Sequence, residues 1–112
     1  MGKVNLYIKY CLRNEKNEYN IKGILQDNKL KYKDDDSIMI FDLKNKKLNR
    51  IKDNQEYLFD FVNSNCYINY NNTNILLPIN VIKNEIDNNN IVVKYQIEED
   101  NFEIKIQIME EK

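Results

Sequence analysis

Apolar and polar residues alternate with a period of two along most of this chain. The alternation is clearest at residues 102–108, where Phe or Ile occupies every second position and Glu, Lys or Gln stands between them. Because successive side chains of a strand point to opposite faces, this pattern predicts strands with one buried and one solvated face. Antiparallel sheets commonly have this arrangement. The pattern therefore predicts an all-β protein.

About ten such stretches follow one another with short polar links. They lie near residues 4–12, 18–26, 30–32, 37–43, 48–51, 56–62, 66–70, 74–81, 91–98 and 102–109. The links are too short for the helices that join parallel strands. We therefore expect an antiparallel up-and-down barrel of about 8–10 strands, with residues 1–112 forming a single domain.

The alternation fails in one segment, and a proline and a glycine interrupt it in two others. Between Asn80 and Asn90 the apolar residues fall three to five positions apart, which predicts one short helix near residues 81–88. Pro78 lacks a backbone donor and indicates an edge strand or a bulge. Gly23 interrupts an apolar face, which indicates a bulge, a bend or a close approach of backbone.

The stretch at residues 37–43 is apolar on both faces. Ile38 and Ile40 lie on one face, and Met39 and Phe41 lie on the other. A strand with two apolar faces is expected to be covered on both sides. This stretch is therefore a candidate surface for packing against another protein chain.

Composition supports the strand prediction and excludes one class of partner. Ala, the best helix former, is absent, whereas Ile, Tyr and Phe are common. The formal net charge is −1, and charges of both signs are interspersed. A nucleic-acid binder needs a basic face to displace counterions from phosphates, so we expect no nucleic-acid partner.

Cys11 and Cys66 are the two cysteines, and no His is present to complete a zinc site with them. The amino terminus has the pattern of a strand and lacks the apolar core of a secretory signal. No apolar run approaches the ~20 residues needed to cross a bilayer. We therefore expect a cytoplasmic protein with reduced thiols, with no bound metal and no membrane association.

The spacing of several residues resembles that of the YwiB-like bacterial proteins, small calycin-type β-barrels of unknown function. Gly23 and, in the next strand, Tyr32 fall where that family has a glycine and a tyrosine. Arg50 falls where the family's central strand ends in arginine. Phe61 closes the next strand as the family's phenylalanine does, and Tyr70 begins the approach to the following turn.

The resemblance covers residues 19–109, and the alternation at 77–81 and 91–97 is also similar to the family's. The sequence departs from the family at Lys83, where threonine is favoured, and in the turn before Ile75, where Asn or Thr replaces a glycine. The resemblance implies a barrel related in shape to lipocalins and fatty-acid-binding proteins. It transfers no catalytic residues.

Residue types argue against an enzyme. The absence of His removes the commonest general base and the usual partner of a Ser or Cys nucleophile. Asp42 and Asp60 lie in apolar contexts that would raise a carboxyl pKa, so a pair of carboxylates is the remaining catalytic possibility. However, strand parity predicts that Asp60 faces solvent. We therefore expect no catalytic residues and no cofactor.

Two charged stretches are expected to be solvated turns. Asp34, Asp35 and Asp36 offer oxygen ligands but lack the spacing of a calcium loop. The basic stretch from Lys44 to Lys52 has the charge of an ordinary hairpin tip. Neither stretch predicts a metal or phosphate site.

Arg50 is the leading candidate for a ligand contact. It shares strand parity with Leu48, so the guanidinium points into the barrel if Leu48 does. A buried Arg needs a carboxylate or an acidic ligand head group as a partner. The alternative is that Leu48 is a half-exposed edge residue and that Arg50 lies in water.

Four tyrosines, Tyr10, Tyr19, Tyr57 and Tyr95, fall on predicted inward faces. Their hydroxyls either converge on a pocket or reach the barrel mouth from an ordinary core. Two hypotheses of function remain. The first is a non-enzymatic barrel that binds a small apolar or acidic-headed ligand in its interior. The second is a structural or protein-interaction module whose core is filled by its own side chains.

Overall fold

Eleven strands form one continuous antiparallel sheet in the computed structural model, which describes residues 2–110. The strands are β1 (Gly2–Leu12), β2 (Glu15–Gln26), β3 (Lys29–Asp34), β4 (Ser37–Asp42), β5 (Lys47–Lys52), β6 (Gln55–Asp60), β7 (Asn65–Tyr70), β8 (Thr73–Pro78), β9 (Asn80–Ile86), β10 (Asn90–Ile97) and β11 (Asp100–Glu110). These residues include no helix long and apolar enough to cross a membrane.

The sheet is a meander that curls into a nearly closed barrel. Strands that are consecutive in the chain pair with each other, except β8 and β9, and β1 also pairs with β11, from Val4 opposite Glu110 to Leu12 opposite Phe102. The two end strands of the sheet, β8 and β9, are joined by Ile79 alone and run in the same direction. They are two halves of one bent strand that pairs first with β7 and then with β10. The predicted antiparallel barrel is confirmed.

The predicted helix near residues 81–88 is wrong, because this segment belongs to strand β9. Val81 lies opposite Tyr95 and Lys83 opposite Lys94, so Ile82 is an extra residue in a β-bulge. The bulge leaves Ile82 57% exposed. The inward-facing residues are Val81 before the bulge and Asn84 after it, three positions apart. One inserted residue turns a spacing of two into a spacing of three, which imitates a helical turn. Pro78 ends the edge strand β8, as its missing donor predicts.

Three successive hairpins repeat the same geometry every 18 residues. Left-handed backbone (φ of 55–62°) occurs at residues 28, 46 and 64, and again (φ of 48–51°) at residues 35, 53 and 71. Equivalent positions have equivalent roles: Leu30, Leu48 and Cys66 are all buried on the inner face. Arg50 is therefore the equivalent of Tyr32 in the preceding unit and of Ile68 in the following one.

The turns of the meander alternate between the two ends of the barrel. We call one end, with the turns at residues 27–28, 43–46, 61–64 and 87–89, the closed end. Here the amides of Leu43, Phe61 and Ile79 each donate to a carbonyl oxygen of the preceding hairpin unit, at 2.8–3.2 Å. We call the other end, with the turns at residues 13–14, 35–36, 53–54, 71–72 and 98–99, the mouth.

Apolar residues of the inner faces form the core. Leu6, Leu30, Phe41 and Ile91 are fully buried within it. The expectation that β4 is covered on both faces is wrong: Met39 and Phe41 face the core, but Ile38 on the outer face is 36% exposed. Strand β4 is also hydrogen-bonded on both sides, to β3 and β5. It therefore offers no free edge to another chain.

Candidate functional site

A cavity of about 180 Å³ opens at the mouth of the barrel. Its floor is apolar and is formed by Ile8, Met39, Leu48, Phe59 and Ile104. An apolar cavity of ~150 Å³ is enough to hold a benzene ring. The cavity therefore has room for one ring-sized molecule, whereas drug-sized ligands occupy pockets of roughly 300–1,000 Å³.

Arg50 lies at the rim of this cavity. It sits on the inner face of β5, two residues beyond the buried Leu48, and the residue as a whole remains exposed to solvent. Its Nε donates a hydrogen bond to Oγ of the buried Ser37, at 3.3 Å. The guanidinium carbon also lies 6.0 Å from the ring centre of Tyr57, within cation–π distance. Within the described part of the chain, no carboxylate forms an ion pair with Arg50.

Three of the four candidate tyrosines line the cavity: Tyr10, Tyr19 and Tyr95. Tyr10 and Tyr19 pack edge to face, with ring centres 6.0 Å apart. Tyr57 does not line the cavity. Its ring stacks on Phe59 and supports Arg50 from the side.

The hydroxyl of Tyr19 is buried and has no hydrogen-bond partner among the described residues. Burial raises the pKa of Tyr19, and the Asp34 carboxylate raises it further by its charge and by its proximity to the hydroxyl, although the two do not form a hydrogen bond of normal geometry. The phenol is therefore neutral at physiological pH and keeps its proton. A buried donor without a partner is costly, and such a group in a cavity can bond to a bound molecule.

Tyr32, Asp34 and Ser37 line the same cavity, and the sequence did not identify them as site residues. Tyr32 is buried, and its pKa is raised by burial and by the neighbouring Tyr19 and Asp34. The 18-residue repeat is the signal that could have found Tyr32, since it is the equivalent of Arg50. The cavity thus has an acidic side at Asp34 and a basic side at Arg50.

The barrel wall is incomplete beside this cavity. Strands β2 and β3 pair only from Ile24–Lys31 to Gln26–Lys29, and they separate toward the mouth. Gly23 lies where they part. A Cβ atom at Gly23 would lie 2.9 Å from the carbonyl oxygen of Lys31, so the predicted close approach of backbone is present. Tyr19 lies in the part of β2 that does not pair with β3.

The interior beyond the cavity is filled by aromatic rings. Tyr95 is 4% exposed and stacks on Phe102, with ring centres 5.1 Å apart. It also contacts Phe59 and Phe61, at 5.4 and 5.6 Å between ring centres. Burial raises the pKa of the Tyr95 hydroxyl. Cys66 raises this pKa further, and the positive charge of Arg50 partly lowers it. The barrel therefore encloses its own side chains in the middle, and the cavity lies at the mouth.

The carboxylates considered for catalysis lie at the closed end, away from the cavity. The expectation that Asp60 faces solvent is wrong, because it is 5% exposed. Its Oδ1 accepts hydrogen bonds from the amides of Val62 and Asn63, and its Oδ2 accepts one from the Asn63 side chain. Burial raises the pKa of Asp60, but these hydrogen bonds and Lys47 outweigh burial and lower it below its usual value.

Asp42 has the same arrangement with Asn45, and its pKa is also lowered. A carboxyl group with a lowered pKa is a poor general acid at neutral pH. Both residues therefore stabilise turns, and the expectation that apolar surroundings raise their pKa values is wrong.

Other candidate groups do not form a site. Among residues 2–110, no cluster of three or more Cys, Asp or Glu side chains could hold a metal ion. Cys11 and Cys66 are free thiols, and burial raises the pKa of Cys66 to about 11. The predicted basic stretch is divided between the two ends, since Lys47 faces Asp60 and Lys52 lies at the mouth.

Comparison with known proteins identifies one similar fold. The crystal structure of ywiB protein from Bacillus subtilis superposes with a TM-score of 0.57 at 13% sequence identity, covering 99% of this chain and 93% of that one. At this identity the likeness concerns the fold alone. No family model and no curated protein matches the sequence.

Proposed function

We propose that this protein is a non-enzymatic barrel that binds one small, singly charged anion with a compact apolar body in the cavity at its mouth. The observation that carries the proposal is the position of Arg50. The equivalent positions of the repeat hold Tyr32 and Ile68, whereas this one presents a cation above an apolar cavity, with no carboxylate partner among residues 2–110.

The size of the cavity limits the ligand. A volume of about 180 Å³ suits a ring or a short branched chain. A long fatty acid would need space that Phe59, Phe61 and Tyr95 already fill. The proposed ligand is therefore much smaller than those of fatty-acid-binding proteins.

The charges at the mouth limit the head group. Arg50 attracts a carboxylate or a similar anion, and charge-assisted hydrogen bonds of this kind are among the stronger ones in proteins. Asp34, Asp35 and Asp36 line the same opening and repel additional negative charge. The unpartnered hydroxyl of Tyr19 would donate to an acceptor on the ligand. A monoanion satisfies all three conditions better than a phosphate or a dicarboxylate does.

Benzoate is a suitable probe, because it combines one ring with one carboxylate. We expect a titration followed by two-dimensional NMR to shift the amide signals of the mouth residues, with little change at the closed end. Benzamidine has the same shape with a positive charge and serves as the matched control, expected to bind more weakly. Binding of benzamidine in preference to benzoate, or no response to either, would contradict the proposal.

The variant Arg50→Met tests the named contact. Loss of one charge-assisted interaction of about 1.5–3 kcal/mol weakens benzoate binding by roughly 10- to 150-fold. Binding of neutral benzyl alcohol should change little, because the apolar floor is intact. Equal affinity of wild type and variant for benzoate would remove Arg50 from the site.

The second candidate function is a structural or interaction module, and the aromatic filling of the barrel favours it. Tyr95 and Phe102 would then serve stability alone, with the mouth cavity as an unfilled remainder of the core. This function predicts that no small anion, neutral ring or cation perturbs the mouth.

We also propose that the protein resides in the cytoplasm, on the basis of its two free cysteines. Titration of thiols in protein denatured directly from cells should then find both Cys11 and Cys66 reduced. Recovery of a disulfide between them would contradict this location.

A further inference from the structure

The stretch from Phe61 to Ile82 contains no Asp, Glu, Lys or Arg, although 31% of the chain is charged. We call it the charge-free segment. It includes both strands of the β7–β8 hairpin and the start of β9. Surface strands of soluble proteins usually carry charges that prevent pairing with other chains. The charge-free segment lacks such charges along both strands of one hairpin.

Strand β8 presents a free edge within this segment. Among the described residues it is hydrogen-bonded only to β7, and it is one of the two end strands of the sheet. Ile75 and Leu76 point to opposite faces of β8, yet they are 50% and 59% exposed. The outer faces of β7 and β8 also carry Tyr67, which is 51% exposed and lies opposite Leu76.

We propose that β8 pairs antiparallel with β8 of a second copy of this chain. The free backbone donors and acceptors of an edge strand select another extended strand as the occupant. An antiparallel pair of identical strands is symmetric, so any charged residue near its centre would lie close to the same charge in the other copy. Because the charge-free segment brings no such repulsion, it is suited to pairing with itself. A basic or acidic partner strand would find no complementary charge there.

The pairing centres on Leu76. In this register Leu76 lies opposite its own copy on the outer face, beside the two Tyr67 rings. Ile75 lies opposite Leu77 of the other copy on the inner face. Apolar residues thus meet apolar residues at the three central positions. An interface made by one short strand from each copy is small, so we expect a weak dimer with a micromolar or weaker dissociation constant.

Sedimentation equilibrium over a wide range of protein concentration tests the proposal. The mass of wild type should rise from that of the 13.6 kDa chain toward twice that value. Leu76→Lys places like charges opposite each other and should raise the dissociation constant at least about tenfold. Val62→Lys adds the same charge at a residue that is 61% exposed in the turn between β6 and β7, and it should leave the dimer intact.

Cysteine cross-linking tests the register. Leu76→Cys should form a disulfide-linked dimer on mild oxidation, faster than wild type, which carries only Cys11 and the buried Cys66. Val62→Cys should not gain this cross-link. Thermal unfolding of each variant checks that it is folded.

A monomer at every concentration would overturn the proposal and would leave the edge to an extended segment of a different protein. It would also be overturned by a dimer that Leu76→Lys leaves unchanged, or that Val62→Lys disrupts equally.

Discussion

Replacing Asp60 by Ala should destabilise the protein substantially, whereas the equivalent change at Asp42 should cost less. Both carboxylates accept two backbone amides and one Asn side chain in turns of the same geometry. Asp60 is 5% exposed and its hydrogen bonds are partly buried, whereas those of Asp42 are exposed to solvent. Loss of these bonds to a charged acceptor should cost about 2–4 kcal/mol at Asp60 and about 1–2 kcal/mol at the more solvated Asp42.

Urea denaturation measures the difference. For a slope of about 2 kcal/mol per molar, typical of a small protein in urea, the Asp60→Ala midpoint should fall by roughly 1–2 M and the Asp42→Ala midpoint by less. The slope itself should not change, because the fold is retained. Equal losses at the two positions, or a loss at Asp60 below about 1 kcal/mol, would refute the argument that burial determines the cost of these turns.

Three further changes test other parts of the structure. Gly23→Ala should destabilise the protein by about 1–3 kcal/mol in the same urea assay, because its Cβ would lie 2.9 Å from the backbone oxygen of Lys31, which cannot move freely. An unchanged urea midpoint would contradict this. The free energy of unfolding should be constant from neutral pH down to about 5 and should fall below about pH 4, because Asp42, Asp60 and Asp87 have lowered pKa values and lose their favourable ionised state as they are protonated. Thermal unfolding across pH measures this, and greater stability in acid would contradict it. Tyr19→Phe should leave the free energy of unfolding unchanged or raise it by up to about 1 kcal/mol, because the buried hydroxyl has no hydrogen-bond partner among the described residues, and it should weaken benzoate binding. A clear loss of stability would show that the hydroxyl already has a partner in the free protein.

The sequence predicted the strands well wherever the alternation was unbroken. Strands β1 and β11 lie where the alternation predicted them. The parity that Arg50 shares with Leu48 left two alternatives, the inner face or solvent, and the burial of Leu48 puts Arg50 on the inner face at the rim of the cavity. The segment around Ile82 was misassigned because a bulge adds one residue, and no local signal distinguishes the resulting spacing from a helix.

The site was less accessible to sequence reasoning than the fold. Strand parity ends where a strand enters a turn, which is why the burial of Asp60 was not predicted. Tyr32 and Asp34 join Arg50 because β3 and β5 flank β4 and curve around the cavity, and this curvature cannot be read from alternation. Only the 18-residue repeat, which relates residues 32, 50 and 68, contains that information.

The cavity at the mouth is proposed to hold a small anion through Arg50. Native mass spectrometry of the protein purified gently from its own host tests it most directly. We expect a species heavier than the 13.6 kDa chain by the mass of one small molecule, and we expect Arg50→Met to lose it. Detection of the bare chain alone, or equal retention by the variant, would contradict binding of a small anion through Arg50.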